Sequence, residues 1–271
     1  MPNPDRHEMS NDDAKLCEIL LGPLRKCLDY KPAFGGVKGS NLNYDDFRAI
    51  YEADPFYNWM GLAVPGVYSA HKAAGGLTSV YRQLGIGAER LICAILASRL
   101  SLTPSQLTWE YTYSKPNGKT GVHKLDAKIE TADLREDAKK RIDSWLSSAC
   151  VTAQTEKQFA PKGVVFEIRQ GYKSADSKRQ NADLRFGMRA SQASLLPVFL
   201  ILSTQVTEPV ILRYSHEGML VLRGTLDNDA TTSTFAFMKE VVGYDLCAFF
   251  RRNKDLFKEE IQTLVQGLLT T

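Results

Sequence analysis

The residues best suited to chemistry are two carboxylates and the cations near them. Glu167 and Arg169 lie in GVVFEIRQGYK (163–173), which opens on a glycine and an apolar run that reads as a buried β-strand. Alternate residues of a strand share a face, so Glu167, Arg169 and Lys173 have one parity. Arg169 is then about 6.6 Å from Glu167 along the strand, and Lys173 about 20 Å unless Gly171 bends the chain. Asp126 lies in GVHKLDAKIE (121–130), between apolar neighbours. Aspartate is disfavoured in strands, and metal ligation is a good reason to place one there. Two carboxylates on neighbouring strands can hold Mg²⁺, a hard ion that prefers oxygen and keeps several of its waters. Such a centre neutralises a phosphate and activates water, which is what phosphodiester hydrolysis needs. Arg169 is always protonated, so it can stabilise charge but cannot act as a base. A same-face ion pair between Glu167 and Arg169 is an equally available reading of the spacing.

A cationic, amide-rich stretch follows, SKRQNADLRFG, with helical character. Lys178, Arg179, Gln180, Asn181 and Arg185 are the candidate contacts to nucleic acid. Lysine and arginine grip phosphates, arginine reads guanine, and Asn or Gln reads adenine. A solvated helix face is the alternative. Residues 162–189 hold seven basic and three acidic side chains, enough to account for the whole chain's net charge of +3. A basic stripe on a near-neutral protein points to a polyanion at one face. Glu89 falls in the first turn of an apolar-faced helix, 88–100. It either complements the helix dipole there or serves as an extra metal- or base-positioning carboxylate.

These residues need a scaffold. Helical spacing predicts a helix over 14–30, broken or kinked at Gly22-Pro23, and a short helix capped by Asp45 or Asp46. Residues 54–68 read as an irregular connection. Residues 69–100 read as two helices split near Gly85–Gly87. Strands over 107–114 and 121–130 form a hairpin through Pro116-Asn117-Gly118. An amphipathic helix over 133–150, with Asp133 and Glu136 as a capping pair, has the length to return strand 163–173 beside 121–130. A helix over 175–193, a buried strand over 197–203, a second hairpin (209–215 with 218–223) and two helices over 231–270 complete the order. Arg251 and Arg252 stand between those last helices, either touching phosphate or solvated. The pattern is α/β of the mixed α+β kind, a central mixed sheet flanked by helices, in a single domain 1–271. Its parts are a helical 1–105, an α/β core at 106–225 and a C-terminal helical 226–271.

Other classes are excluded. The five cysteines are scattered with no CxxC, which suits reduced, buried thiols rather than zinc. Gly85-Ile86-Gly87 lacks the preceding strand and third glycine of a dinucleotide loop. The polar opening MPNPDRHEMSNDD reads as no secretion signal, and Leu195–Leu202 is too short to span a membrane. A cytoplasmic protein without a membrane partner is expected.

The stretch GVVFEIRQGYKSADSKRQNADL resembles the central motif of the ApaLI/XbaI-like type II restriction endonucleases. SAHKAAGGLTSVYRQLGIGAERL resembles their N-terminal helical motif, KLDAKIE their first acidic strand, and TSTFAFMKEVVGYDLCAFFRRN their C-terminal block. The resemblance covers about residues 45–255. It implies a PD-(D/E)XK nuclease fold, a prokaryotic source, Mg²⁺ dependence, and a homodimer acting on short, usually palindromic sites in double-stranded DNA. It gives Asp126 and Glu167 the first and second metal-carboxylate roles. Where the family pattern has lysine this chain has Arg169, so the third role stands open between Arg169 and Lys173. That departure keeps a DNA-binding protein without cleavage as an alternative, beside a repair or recombination nuclease on the same fold.

Overall fold

A computed structural model of the protein describes residues 10–32, 43–114, 118–156, 158–172 and 177–269. The chain forms two units, Met1–Gly87 with Arg251–Thr271, and Ala88–Phe250. The division falls at 87 and 250. Helix α1 (Asn11–Arg25) starts at Ser10, whose hydroxyl accepts from the Asp13 amide at 3.1 Å. Pro23 lies within α1, two residues from its end, so Gly22-Pro23 does not break it. Helix α2 (Tyr44–Ala53) is capped by Asn43, and Asp46 reaches back to complete the capping box. The expected irregular connection contains a short helix, α3 (Pro55–Trp59). Helix α4 (Pro65–Leu100) runs unbroken through Gly85–Gly87, where the sequence predicts a split. A side chain on Gly87 would strike the Leu20 carbonyl of α1. This glycine therefore permits close helix packing and does not end the helix.

The second unit holds the sheets. After α5 (Pro104–Leu107), β1 (Trp109–Ser114) and β2 (Thr120–Leu125) form an antiparallel pair. The expected return strand then divides. Asp126 interrupts it, and β3 (Ala127–Glu130) joins a different, four-stranded sheet. Helix α6 (Glu136–Thr152) carries the chain from β3 to β4 (Gly163–Arg169), which pairs antiparallel with β3. Asp133 lies in a 3₁₀ turn, and the N-cap of α6, Arg135, makes no side-chain capping bond, so the expected capping pair does not form. Helix α7 (Ser177–Gln192) leads to β5 (Leu196–Ile201), parallel to β4. Helix α8 (Glu208–His216) leads to β6 (Leu220–Leu222), parallel to β5.

Residues 208–216 are helical where a hairpin is expected. Val210 and Tyr214, one turn apart, are the buried positions, and a proline stands in the first turn. The C-terminal part forms a helical turn α9 (Thr234–Ala236), a π-helical turn at Phe237–Val242, α10 (Leu246–Arg252) and α11 (Lys254–Leu269). In the first unit Arg252 is paired with Asp13, at 2.9 Å from Nε, and its side chain remains exposed.

The four-stranded sheet is covered on both faces, and its strands β5 and β6 are accordingly apolar and buried throughout. Phe166 packs on Phe237, and Trp145 of α6 packs on the same ring, on one face. Val165, Phe199 and Val221 cluster with Phe186 of α7 and Tyr214 of α8 on the other. Parity puts Glu167 and Arg169 on this second face. This is mixed α/β architecture, with two sheets flanked by helices. No helix among the described residues is long and apolar enough to cross a membrane.

Gly163 fixes the β3–β4 pairing, because a Cβ there would meet the Ile129 carbonyl and the Glu130 Cα. Gly163→Ala is expected to cost about 1–3 kcal/mol of stability, as overpacking does. Denaturant unfolding measures it, and an unchanged midpoint would contradict the tight pairing.

Candidate active site

Asp126 is the one residue between β2 and β3. The register that pairs Ala127 with Phe166 brings Asp126 level with Glu167. Its Oδ2 accepts the Ile168 amide at 2.6 Å, so the side chain takes a place in the ladder that a backbone carbonyl would otherwise hold. That bond puts the two sequence-predicted carboxylates together. Burial pushes the Asp126 carboxyl up to about 8, helped by the negative charge of Glu167 and more weakly of Glu89, against the amide bond and Arg169. Burial also raises the Glu89 carboxyl; Glu167 adds to the rise, while Arg90 and Lys124 oppose it. Three carboxylates thus act on one another within this unit. Asp126 and Glu89 also share a cavity of about 570 Å³, lined in addition by Cys93 and Lys124 and walled by Ala97 and Leu107.

Arg169 is only 7% exposed, and its hydrogen-bonding edge is engaged. Nε and Nη2 donate to Glu167 Oε1 at 3.3 and 3.1 Å. Nη1 and Nη2 donate to Asp183 of α7 at 3.1 and 2.7 Å. Its guanidinium carbon stands 5.0 Å from the ring centres of both Tyr172 and Phe199. Burial opposes its charge, but Asp183 and Glu167 outweigh that and raise its pKa above the usual value. Asp183 also accepts the Tyr214 hydroxyl at 2.6 Å, and the Tyr172 and Tyr214 hydroxyls lie 2.7 Å apart. Arg169 is therefore a brace between Glu167 and helix α7.

The remaining candidates are placed as follows. Lys173 and the side chains of Lys178 and Arg179 lie outside the described residues. Gln180 and Asn181 are on α7, and Arg213 of α8 donates to both, to Gln180 Oε1 and to Asn181 Oδ1 at 3.3 Å. Arginine only donates, so it is the amide oxygens that face it. Arg185, one turn on, is exposed. Asp183, Tyr172, Tyr214, Arg213 and Lys124 are site residues that sequence reasoning missed. Asp183 was visible in principle: with Phe186 and Ala190 it occupies the buried stripe of α7 at i, i+3 and i+7, where a charge needs a partner.

Compared with known protein families, curated proteins and solved structures, the chain matches none. Among the described residues no group of three or more His, Cys, Asp or Glu side chains is placed to hold a metal by itself. Asp126 and Glu167 nonetheless suit Mg²⁺. Both are oxygen donors, one or two carboxylates are what that ion takes, and a divalent charge would offset the burial and the Glu167 charge that raise the Asp126 carboxyl.

Two outcomes follow. The Asp126 carboxyl titrates at its ordinary 3.8 when unfolded and at about 8 when folded. The folded form thus binds the proton more tightly, so this contribution is present below about pH 4 and lost as pH rises to 8. With chelator present, Asp126→Asn keeps an acceptor for the Ile168 amide and is expected to be more stable than the parent at pH 8 by at least about 1 kcal/mol. Melting curves against pH read this; an equal or lower midpoint for the variant refutes it. Asp183→Ala removes the stronger of the two carboxylate partners of the buried Arg169 charge and is expected to cost about 3 kcal/mol in denaturant unfolding.

Proposed function

We propose that the protein is a Mg²⁺-dependent endonuclease that hydrolyses phosphodiester bonds of double-stranded DNA at a defined sequence, in the manner of type II restriction enzymes, as a homodimer in the cytoplasm of a prokaryote. The observation that carries this reading is the Asp126–Ile168 hydrogen bond, which joins a carboxylate at a strand break to the neighbour of Glu167. Asp126 and Glu167 would hold the ion. Bound there, Mg²⁺ supplies charge neutralisation at the phosphate and a water of lowered pKa. The Ile168 amide orients Asp126. Arg169 orients Glu167 and, through Asp183, ties it to helix α7. That helix carries Lys178, Arg179, Gln180, Asn181 and Arg185, the groups proposed to meet DNA. A fold alone does not specify activity, and the reading rests on these side chains together with the resemblance noted above.

A second reading, a DNA-binding protein that does not cut, is favoured by one observation. The Arg169 guanidinium is held by Glu167 and Asp183 and is withdrawn from any phosphate.

Plasmid DNA incubated with the pure protein and Mg²⁺ separates the readings. Discrete fragments support the site-specific enzyme. Nicking or unspecific degradation supports a repair or recombination nuclease. Retarded but intact DNA supports the binding protein. Asp126→Ala and Glu167→Ala are each expected to lower cleavage about 1000-fold, a barrier increase of about 4 kcal/mol. Full activity in either variant would remove that residue from the site.

A further inference from the structure

Hydrolysis of a phosphodiester develops negative charge that a cation must meet, and that cation must reach the substrate. Arg169 cannot. Its contacts are internal, to two carboxylates and two aromatic rings, and it is 7% exposed. A guanidinium so engaged would have to abandon Asp183 in a buried setting before it touched a ligand, at the cost of an unpaired buried charge.

Lys124 has the opposite character. It lies on β2 two residues before Asp126, is exposed, and lines the same cavity as Asp126 and Glu89. Its ammonium is near enough to Glu89 and Cys93 to act on both electrostatically. Its cross-strand neighbour is Glu110, the natural partner for a surface ion pair. Yet none of the ion pairs among the described residues includes Lys124 or Glu110. Arg90 also acts on Glu89, but it does not line the cavity. Lysine is a compact charge on a flexible stem, able to follow a moving phosphate oxygen where a braced guanidinium is not.

We propose that Lys124 is the cation that meets the scissile phosphate, the role that the family resemblance leaves open between Arg169 and Lys173. This inference rests on the nuclease reading and goes beyond it by assigning the phosphate contact to β2.

The test is binding of a short DNA duplex by fluorescence anisotropy, with Ca²⁺ as the divalent ion, over a range of monovalent salt. Each phosphate neutralised by a side chain contributes about 0.9 to the slope of log affinity against log salt. Lys124→Gln is expected to make that slope shallower by about 0.9, and Lys124→Arg to restore it. Arg169→Gln, where it folds, is expected to leave the slope unchanged, because its charge is spent inside the protein. With Mg²⁺, Lys124→Gln is expected to lower cleavage at least about tenfold, with an unchanged melting temperature. A parental slope in Lys124→Gln overturns the inference, as does a slope lost on changing Arg169 instead. If the parent protein binds no duplex, the DNA reading itself fails and takes this assignment with it. That outcome needs no variant, so the two failures are told apart.

Discussion

One hydrogen bond organises the second unit: the Ile168 amide donating to the Asp126 side chain. In an ordinary antiparallel ladder a backbone carbonyl fills that place. Here the strand ends at Leu125, a side chain takes over the ladder bond, and a new strand begins at Ala127 in a different sheet. A buried amide must be satisfied, and Asp126 satisfies it only by bringing an ionisable carboxyl group into the interior. The raised Asp126 carboxyl descends from that exchange.

Arg169 answers the same constraint from the other side of Glu167. Glu167 sits in a strand whose other residues are all buried, so its charge also needs local compensation. Arg169 supplies it and is itself compensated by Asp183, whose oxygens also take the phenol of Tyr214. The chain of contacts runs from strand to helix α7 to helix α8, entirely within one buried layer. A group so well satisfied is rigid, which suits a brace and disqualifies it from following a substrate.

Much of this was legible in the sequence, and the rest was not for identifiable reasons. Asp126 and Glu167 stood out because a carboxylate among strand-forming residues is costly. Strand β4 and helix α7 were readable from apolar runs and helical character. The hairpin expected at 209–223 was wrong because Val210, Ile211 and Leu212 have strand-like chemistry, while burial falls at helical spacing. The split expected at Gly85–Gly87 was wrong because glycine serves two ends, breaking helices and letting them approach, and only the Leu20 carbonyl beside Gly87 tells which applies. The brace was hidden because Asp183 and Arg169 are 14 residues apart on different elements. Spacing along one strand can show that Arg169 shares a face with Glu167, but not that a helix returns to claim it.

The single-residue joint between β2 and β3 has a mechanical consequence. A hairpin usually hangs from its sheet by a linker with slack, so its motions die out before they reach anything else. The β1–β2 hairpin runs straight into Asp126, and its Leu125, Trp109 and Tyr111 pack on the core beside it. Strain on the paired strands is passed to the same residue that carries a carboxylate. The hairpin and the carboxylate are joined through a single residue, with no linker between them.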